Sequence, residues 1–217
     1  MFIINCKNYD EVSGERITKL VRIAAKISKK YKVKIAIAPP QHLLAKIADS
    51  SLIILAQHTD DKKIGSTTGY IIPELLKKSK INGSIINHSE HRIPNGEIKN
   101  TISRLRQLKM ISVLCTRDVA ETAKLARFNP DYIAIEPPEL IGSGKAVSKE
   151  RPDLILKAAK AVKNAKNNSK LLCGAGIVSG DDVEKAIELG SNGILVASGI
   201  IKAKDWEKKI TEFSEAF

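Results

Sequence analysis

The chain contains little of what several classes of protein require. Aromatic residues make up only 4% of its 217 residues, which leaves few side chains on which nucleic-acid bases could stack. No apolar run approaches the ~20 residues that cross a bilayer as a helix. Residues 1–6 have neither the basic start nor the long apolar stretch of a secretory signal. We therefore expect a soluble, cytoplasmic protein with no membrane partner.

Cysteine is scarce as well. The chain has three cysteines, Cys6, Cys115 and Cys173, and each falls in a short apolar run. An odd number of cysteines in such runs fits buried, reduced thiols better than disulfides. No cluster of histidine, cysteine and aspartate residues has the spacing of a zinc site, so we expect no metal.

The charge is strongly basic, with a formal net value of +12. The lysines are spread along the chain in pairs such as Lys29-Lys30 and Lys208-Lys209. We interpret them as a solvated surface and expect no nucleic acid partner, although a positive field would help to attract a small anionic substrate. Binding of a polyanion through this charge is the non-enzymatic alternative.

Short apolar runs alternate with amphipathic stretches along the chain. The runs are rich in β-branched residues, which is typical of strands, whereas the stretches repeat apolar residues three and four positions apart, as helices do. The runs are residues 2–6, 33–38, 52–56, 84–87, 111–115, 131–135, 171–173 and 193–197. The amphipathic stretches include residues 14–30, 95–108, 119–128, 152–166, 181–189 and 204–213.

This alternation predicts the fold. Strand and helix alternating through eight strands indicate a closed parallel (β/α)8 barrel, with a doubly wound open sheet as the competing architecture. No linker rich in proline, glycine or serine divides the chain, and its length suits one barrel. We predict an α/β fold with a single domain over residues 1–217.

The sixth apolar run ends in a carboxylate and breaks into a loop. Glu136 stands at the carboxyl end of the run, Pro137 and Pro138 stiffen the start of the loop, and Gly142 and Gly144 permit positive φ near its end. Enzymes place a catalytic base beneath a movable lid in this way. We therefore predict a base and a lid here, with a turn beside a solvated glutamate as the simpler alternative.

Two other strand ends carry side chains suited to chemistry. The first strand ends with Asn5 and Lys7, which alternation along a strand places on one side, and a lysine at the mouth of a barrel suits an anion. The fourth strand is followed by a polar run, residues 87–92, in which His88 and Glu90 are the candidates. Active sites of barrels lie at these carboxyl ends.

Small residues end the last two strands. Residues 173–176 and 197–199 let the backbone approach a ligand, and each group precedes a helix whose N-terminus favours an anion. Because the loops after strands seven and eight often hold phosphate in barrels, we predict a phosphate site there.

Together these motifs resemble those of triosephosphate isomerases, in particular the short, archaeal-type branch of the family. The resemblance covers residues 5–204, essentially the whole chain. The most specific motifs, in chain order, are Asn5-Cys6-Lys7, Ala56-Gln57-His58, Asn87-His88-Ser89-Glu90-His91-Arg92, Glu136-Pro137-Pro138-Glu139-Leu140-Ile141-Gly142-Ser143-Gly144, Cys173-Gly174-Ala175-Gly176 and Ala197-Ser198-Gly199.

The resemblance implies a role for each matching residue. Glu136 would shuttle the proton, His88 would be the electrophile, and Lys7 would be the cation near the substrate oxygens. Asn5 would support Lys7, and Glu90 would be the carboxylate beside it. The residues implied to hold the phosphate are Ile141, Gly142, Gly176, Ala197 and Ser198. The implied lid consists of Pro137, Pro138, Glu139, Leu140, Ile141, Gly142, Ser143 and Gly144.

The implied reaction interconverts dihydroxyacetone phosphate and D-glyceraldehyde 3-phosphate through an enediol(ate), with no cofactor. In this family a helix N-terminus keeps the histidine neutral, so we expect residues 89–91 to begin a short helix with Ser89 near its cap. Pro-Glu-Leu in the lid and Gly-Ala-Gly at residues 174–176 depart from the longer members and fit the archaeal-type branch. Another phosphate-binding barrel isomerase is the alternative enzyme.

The stretch over residues 57–70 is too long for an ordinary strand-to-helix connection of ~2–6 residues. Its tip, residues 65–69, resembles the loop with which members of the family reach into a neighbouring subunit. The resemblance implies a homo-oligomer, either a dimer or a tetramer, in which Thr68 of one copy supports the active-site lysine of the other. A mobile, solvent-exposed loop is the alternative.

Overall fold

The structure, a computed structural model, describes residues 1–142, 144 and 146–217. Its strands close into a parallel barrel in chain order, and the last strand pairs with the first through Phe2 and Ile194. The strands are β1 (Phe2–Asn5), β2 (Ile35–Ala38), β3 (Ile53–Ala56), β4 (Gly83–Ile86), β5 (Ile111–Thr116), β6 (Tyr132–Ile135), β7 (Lys170–Gly174) and β8 (Ile194–Val196). The predicted (β/α)8 barrel is therefore confirmed.

Helices surround the barrel and connect its strands. The α-helices formed by the described residues are α1 (Arg16–Tyr31), α2 (Leu44–Ile47), α3 (Pro73–Lys78), α4 (Asn95–Gln107), α5 (Val119–Ala126), α6 (Val147–Glu150), α7 (Pro152–Asn164), α8 (Gly180–Glu188), α9 (Ser198–Ile201) and α10 (Trp206–Glu215). In this part of the chain, every helix is too short or too polar to cross a membrane.

Hydrogen bonds at the helix starts explain where several helices begin. The side chain of Asp118 accepts the backbone N–H of Glu121 at the start of α5. Asp205 accepts the backbone N–H of Lys208, so α10 begins two residues later than the predicted start at residue 204. A side-chain acceptor of this kind satisfies a backbone donor that the first helical turn leaves unpaired.

The barrel strands are buried on both faces, which is why they read as continuous apolar runs. One set of side chains fills the barrel interior, and it includes Ile3, Ala36, Leu55, Ile85, Val113, Ala134, Leu172 and Leu195. The opposite face packs against the apolar stripes of the helices, for example Leu20 and Ala24 of α1. All three cysteines are buried in or directly after strands, and burial raises the pKa of each thiol.

Because side chains alternate along each strand, the residues at the mouth of the barrel continue the set that faces its interior. Residues two positions beyond an interior side chain face the same way. At the carboxyl ends of the strands, the residues that come two positions after an interior residue include Asn5, Gln57, Asn87, Glu136 and Gly174. The carboxyl ends of the strands thus gather polar side chains at one opening of the barrel.

Candidate functional site

Glu136 and His88 face each other at the mouth of the barrel. The Oε2 atom of Glu136 lies 3.6 Å from the Nε2 atom of His88, and the two residues are only 4% and 7% exposed. Neither of these two atoms has a hydrogen-bond partner among the described residues. Because buried polar atoms almost always have partners in proteins, both are candidates to bind a small molecule.

The other ring nitrogen of His88 fixes the position of its proton. Nδ1 accepts the backbone N–H of Glu90 at 3.2 Å. A nitrogen that accepts a hydrogen bond carries no proton, so the proton of the imidazole lies on Nε2. His88 therefore presents a hydrogen-bond donor towards Glu136 and the cavity.

The predicted helix at residues 89–91 is wrong. Residues 89 and 90 form a turn, in which the backbone N–H of His91 donates to the carbonyl of His88 at 2.8 Å, and α4 begins only at Asn95. The side chain of Asn87 accepts the backbone N–H of Ile93 at 3.2 Å and holds the chain in this turn. The N–H that reaches His88 thus comes from a tight turn.

Lys7 is held in place from three sides. Its backbone N–H donates to Oδ1 of Asn5 at 3.0 Å, and its carbonyl accepts the side chain of Gln57 at 2.8 Å. Its ammonium forms an ion pair with Oε1 of Glu90 at 2.8 Å. Because β1 ends at Asn5 and Lys7 has a φ of 44°, strand alternation does not extend to residue 7 as we expected. The turn supported by Asn5 brings Lys7 to the site instead.

The polar run over residues 87–92 separates into functional and supporting side chains. His88 reaches the cavity, and Glu90 contacts Lys7. The guanidinium of Arg92 donates to the carbonyl of Asn87 at 3.1 Å and stabilises the turn. The ring of His91 stacks on the ring of His58 with centroids 4.0 Å apart, beside the site rather than in it.

One cavity of about 300 Å³ brings together most of the predicted site residues. Those that line it are Asn5, Lys7, His88, Glu136, Ile141, Gly142, Gly176, Ala197 and Ser198, together with Gly144 of the predicted lid. The lid begins with a 3-10 helix at Pro138–Leu140, in which Leu140 is buried. Ser143, also assigned to the lid, lies outside the described residues.

The loops after β7 and β8 form one end of this cavity. Ala175 and Gly176 are successive residues with φ of 71° and 70°, a conformation in which neighbouring backbone N–H groups can line a concave, anion-binding surface. Helix α9 begins at Ser198 beside them. The first N–H groups of a helix have no partners within it, so this end of the cavity can accept an anion.

Gly174 has a role in the site that the sequence did not reveal. A Cβ atom at this position would lie 2.4 Å from Cγ of Glu136, so only glycine leaves room for the glutamate. The sequence alone attributes this glycine to the approach of a ligand. The missing signal is the pairing of β6 with β7, which sets Ile135 beside Cys173 and therefore Glu136 beside Gly174.

Cys115 is a second neighbour of Glu136 that sequence reasoning missed. Burial, followed by the charge of Glu136 and a hydrogen bond to it, raises the pKa of the Cys115 thiol. The thiol therefore stays protonated and can donate to the carboxylate. Tyr9 and Lys202 also line the cavity, with the ammonium of Lys202 4.9 Å from the centre of the Tyr9 ring.

A long loop, residues 57–72, projects from the barrel beside the site. Its base is closed by Asp60, whose backbone N–H donates to the carbonyl of Ile71 and whose carboxylate accepts the N–H of Ile71, both at 2.7 Å. Residues 62–70 are exposed, and Thr68 is among them. Thr68 does not reach the cavity of its own chain.

A second, wider cavity of about 760 Å³ lies between this loop and Lys7. His58 lines it and lies 3.2 Å from Asp60 through its Nε2 atom. Burial lowers the pKa of His58, and the stacked His91 ring acts in the same direction, whereas Asp60 opposes them. No group of three or more histidine, cysteine or acidic residues that could hold a metal occurs within the described residues.

Comparison with known proteins places these features in a family. A family model described as triosephosphate isomerase matches residues 1–213. The triosephosphate isomerase of Cenarchaeum symbiosum is 57% identical over 216 residues, covering 100% of this chain and 97% of the relative. Those of Methanothermus fervidus and Methanocaldococcus jannaschii are 41% and 39% identical, each over 213 residues, covering 98% of this chain and 96% and 97% of the relatives.

Proposed function

This chain belongs to the triosephosphate isomerase family and interconverts dihydroxyacetone phosphate and D-glyceraldehyde 3-phosphate, and we propose that Glu136, His88 and Lys7 carry out the reaction. The family assignment decides against the two alternatives that the sequence left open, a different barrel isomerase and a polyanion-binding protein. The reaction is a step of glycolysis and gluconeogenesis. The proposal is carried by two buried atoms, Nε2 of His88 and Oε2 of Glu136, which face each other at 3.6 Å and have no hydrogen-bond partner in the part of the chain that the structure describes.

Glu136 is the base that moves the proton. Its carboxylate removes a proton from carbon 1 of dihydroxyacetone phosphate, and the electron pair of the C–H bond shifts to give an enediolate with its charge on the carbonyl oxygen. After a proton has moved between the two oxygens, Glu136 returns its proton to carbon 2. One carboxylate can serve both carbons because they are adjacent and lie on one face of the substrate.

His88 stabilises the oxygen on which charge develops. Its Nε2–H donates to that oxygen, while Nδ1 is occupied by the backbone N–H of Glu90. A donor aimed at the developing charge in a buried site lowers the free-energy barrier to proton removal more than it strengthens substrate binding.

Lys7 supplies the positive charge. An ammonium group has three donors, and in this site Glu90 accepts one of them at 2.8 Å, which leaves the others to face the substrate. Lys7 thus contacts the reacting oxygens and balances the charge of the phosphate. Asn5 and Gln57 keep its backbone in the required turn.

The phosphate group lies at the end of the cavity formed by Gly176, Ala197 and Ser198, and Ile141 and Gly142 approach it from the lid. Closure of the lid excludes water from the enediolate, which protects this intermediate from losing its phosphate. The side chains described above perform the whole reaction without a cofactor.

We also propose that the protein assembles at least as a two-fold dimer, as dimers or tetramers. Each copy has both an exposed loop tip and a cavity of about 760 Å³ beside Lys7, and a two-fold axis would place the tip of one copy in the cavity of the other. Thr68 at the tip would then support Lys7 of the partner. A cytoplasmic location accords with three buried, free cysteines, which suit a reducing compartment.

A coupled isomerase assay of the wild type and of His88→Gln tests the catalytic proposal. We expect the wild type to be active and the variant to lose roughly 100- to 1,000-fold in kcat, the usual cost of removing one donor to a developing oxyanion, with a smaller change in KM. Wild-type kcat in a folded His88→Gln enzyme would remove His88 from the mechanism.

A further inference from the structure

Outside the catalytic set, the structure buries one carboxylate at a place where two functional loops meet. Asp182 lies in the first turn of α8 and is 1% exposed. Its Oδ2 atom accepts the backbone N–H groups of Val178 and Ser179, each at 3.0 Å. These two residues belong to the loop that follows β7, so Asp182 fixes the far end of the loop on the phosphate side of the cavity.

The second oxygen of Asp182 contacts the chain that leaves the lid. Its Oδ1 atom lies 2.6 Å from the ammonium of Lys149, which is in the single-turn helix α6 directly after the lid. The backbone N–H of Val147 in the same helix donates to the carbonyl of Ala175 at 3.5 Å. The end of the lid is therefore tied to the loop after β7 at two points.

The carboxylate of Asp182 is held in its ionised form by this arrangement. Burial works to raise its pKa, but the contact with the Lys149 ammonium, the backbone N–H of Val178, the side chain of Ser179 and the charge of Lys149 outweigh burial and lower the pKa. A buried charge that loses its partner is costly, whereas Lys149 is more than half exposed and a partly exposed pair adds little to stability. Besides its effect on stability, the pair joins the chain leaving the lid to the loop after β7, and the lid and this loop line the same cavity.

We propose that Lys149 and Asp182 are positioning residues that fasten the exit of the lid to the phosphate loop, so that the lid closes in register over the bound phosphate. The inference rests on the roles proposed above for the lid and for the loop after β7. Neither residue touches the substrate. They act by fixing where the lid ends, which decides how well Ile141 and Gly142 meet the phosphate.

The fate of the enediolate reports lid closure directly. When the lid closes poorly, the electron pair of the enediolate expels the phosphate group, which leaves with the electrons of its C–O bond. The remaining enol becomes methylglyoxal, so each lost intermediate yields one inorganic phosphate. The ratio of phosphate released to triose phosphate isomerised is independent of how much of a preparation is correctly folded.

The test measures this ratio, together with kcat/KM and inhibition by 2-phosphoglycolate, for Lys149→Met and Lys149→Arg. We expect Lys149→Met to raise the phosphate ratio about threefold to tenfold, with a comparable loss in kcat/KM and in inhibitor affinity, since a partly exposed ion pair contributes on this scale. Lys149→Arg keeps a cation that can pair with Asp182, so each value should stay close to that of the wild type. Lys185→Met is the matched control, because it breaks an exposed ion pair with Glu188 on the same helix as Asp182.

Variants of Asp182 separate the ion pair from helix capping. Asp182→Asn keeps an oxygen that can accept a backbone N–H but removes the charge, whereas Asp182→Ala removes both. If the ion pair acts on the lid, Asp182→Asn reproduces the phosphate ratio of Lys149→Met. The double variant, Lys149→Met with Asp182→Asn, then has a phosphate ratio no higher than that of either single variant. If Asp182 only caps α8, Asp182→Asn behaves as the wild type and Asp182→Ala is merely less stable to heat.

An unchanged phosphate ratio and inhibitor affinity in a folded Lys149→Met enzyme would overturn the proposal. That result is distinct from failure of the proposed site, in which 2-phosphoglycolate would not inhibit the wild type at all. A rise in the ratio in the Lys185→Met control as well would also overturn it, because the effect would then reflect a general loss of surface ion pairs.

Discussion

The position of the Glu136 carboxylate depends on the absence of a side chain at Gly174. Gly174→Ala would place a methyl group 2.4 Å from Cγ of Glu136, a distance at which one of them must move. Displacement of a base by about 1 Å lowers the rate by about 100-fold. We therefore expect Gly174→Ala to lose kcat on this scale with little change in KM, measured in the coupled assay.

Gly96→Ala is the control for this substitution. Gly96 lies in the first turn of α4, and an added Cβ there meets no atom of the described residues within 4 Å. The Gly96→Ala enzyme should therefore keep the kcat of the wild type. If Gly174→Ala does so as well, the glutamate does not depend on this glycine for its position.

His58 makes stability depend on pH. Its pKa in the folded protein is lowered, chiefly by burial, so below about 6.5 the unfolded chain binds a proton that the folded chain does not. The folded state should therefore lose stability through His58 as the pH falls below this value. His58→Asn removes the effect, and the exposed His42 provides the control substitution, His42→Asn.

Urea unfolding at pH 7.5 and 5.5 measures this contribution. We expect the loss of unfolding free energy between the two pH values to be smaller in His58→Asn than in the wild type and in His42→Asn. Equal losses in all three proteins would show that burial of His58 has no effect on its protonation.

At the scale of elements, the sequence predicted the strands and the long helices well. Each strand is buried on both faces, and each of the longer helices repeats its apolar residues over two or more turns, so both patterns are visible in the sequence. Helices α2, α6 and α9 have four residues each and were not predicted. One turn of helix is too short for the period to appear, and such turns form where the surrounding loops pack.

The turn over residues 89 and 90 shows where local reasoning fails. Ser89 followed by polar residues fits the start of a helix, but Asn87 bonds the N–H of Ile93 and Pro94 precedes the actual start of α4. These contacts bridge several residues and outweigh the capping preference of one serine. The motif placed His88 after β4, where it lines the cavity, and misidentified the structure that orients it.

Contacts between segments far apart in the chain could not be predicted from the sequence. The positions of Asn5, His88 and Glu136 followed from reading the end of each strand, and their roles came from the resemblance. The contact of Gly174 with Glu136 and the ion pair of Lys149 with Asp182 require the register between neighbouring strands and loops. No local pattern in the chain encodes that register.

At the scale of the whole molecule, the loop over residues 57–72 should determine assembly. Hydrogen bonds between Asp60 and Ile71 close its base, so residues 63–69 can be replaced by a short glycine-serine turn without opening the barrel. We expect monomers with poor activity, because Lys7 loses the support of the partner's loop. Sedimentation at low micromolar concentration, combined with the coupled assay, measures both properties.

Leu156→Ser is the control for the shortened loop. Leu156 is an exposed apolar side chain of α7, 52% accessible, away from the loop. Its replacement should leave the dimer intact. A wild-type protein that sediments as a fully active monomer at this concentration would contradict the assembly proposed here.

We propose that Glu136 removes the substrate proton in the cavity lined by His88 and Lys7. Exchange of the carbon 1 hydrogen of dihydroxyacetone phosphate in D2O, followed by NMR, reports this step alone. The wild type should catalyse exchange, and Glu136→Gln should lose at least about 100-fold in exchange rate, since an amide cannot accept the proton. The variant should still bind 2-phosphoglycolate. Exchange at the wild-type rate in Glu136→Gln would contradict this role of Glu136, because another group would then be the base.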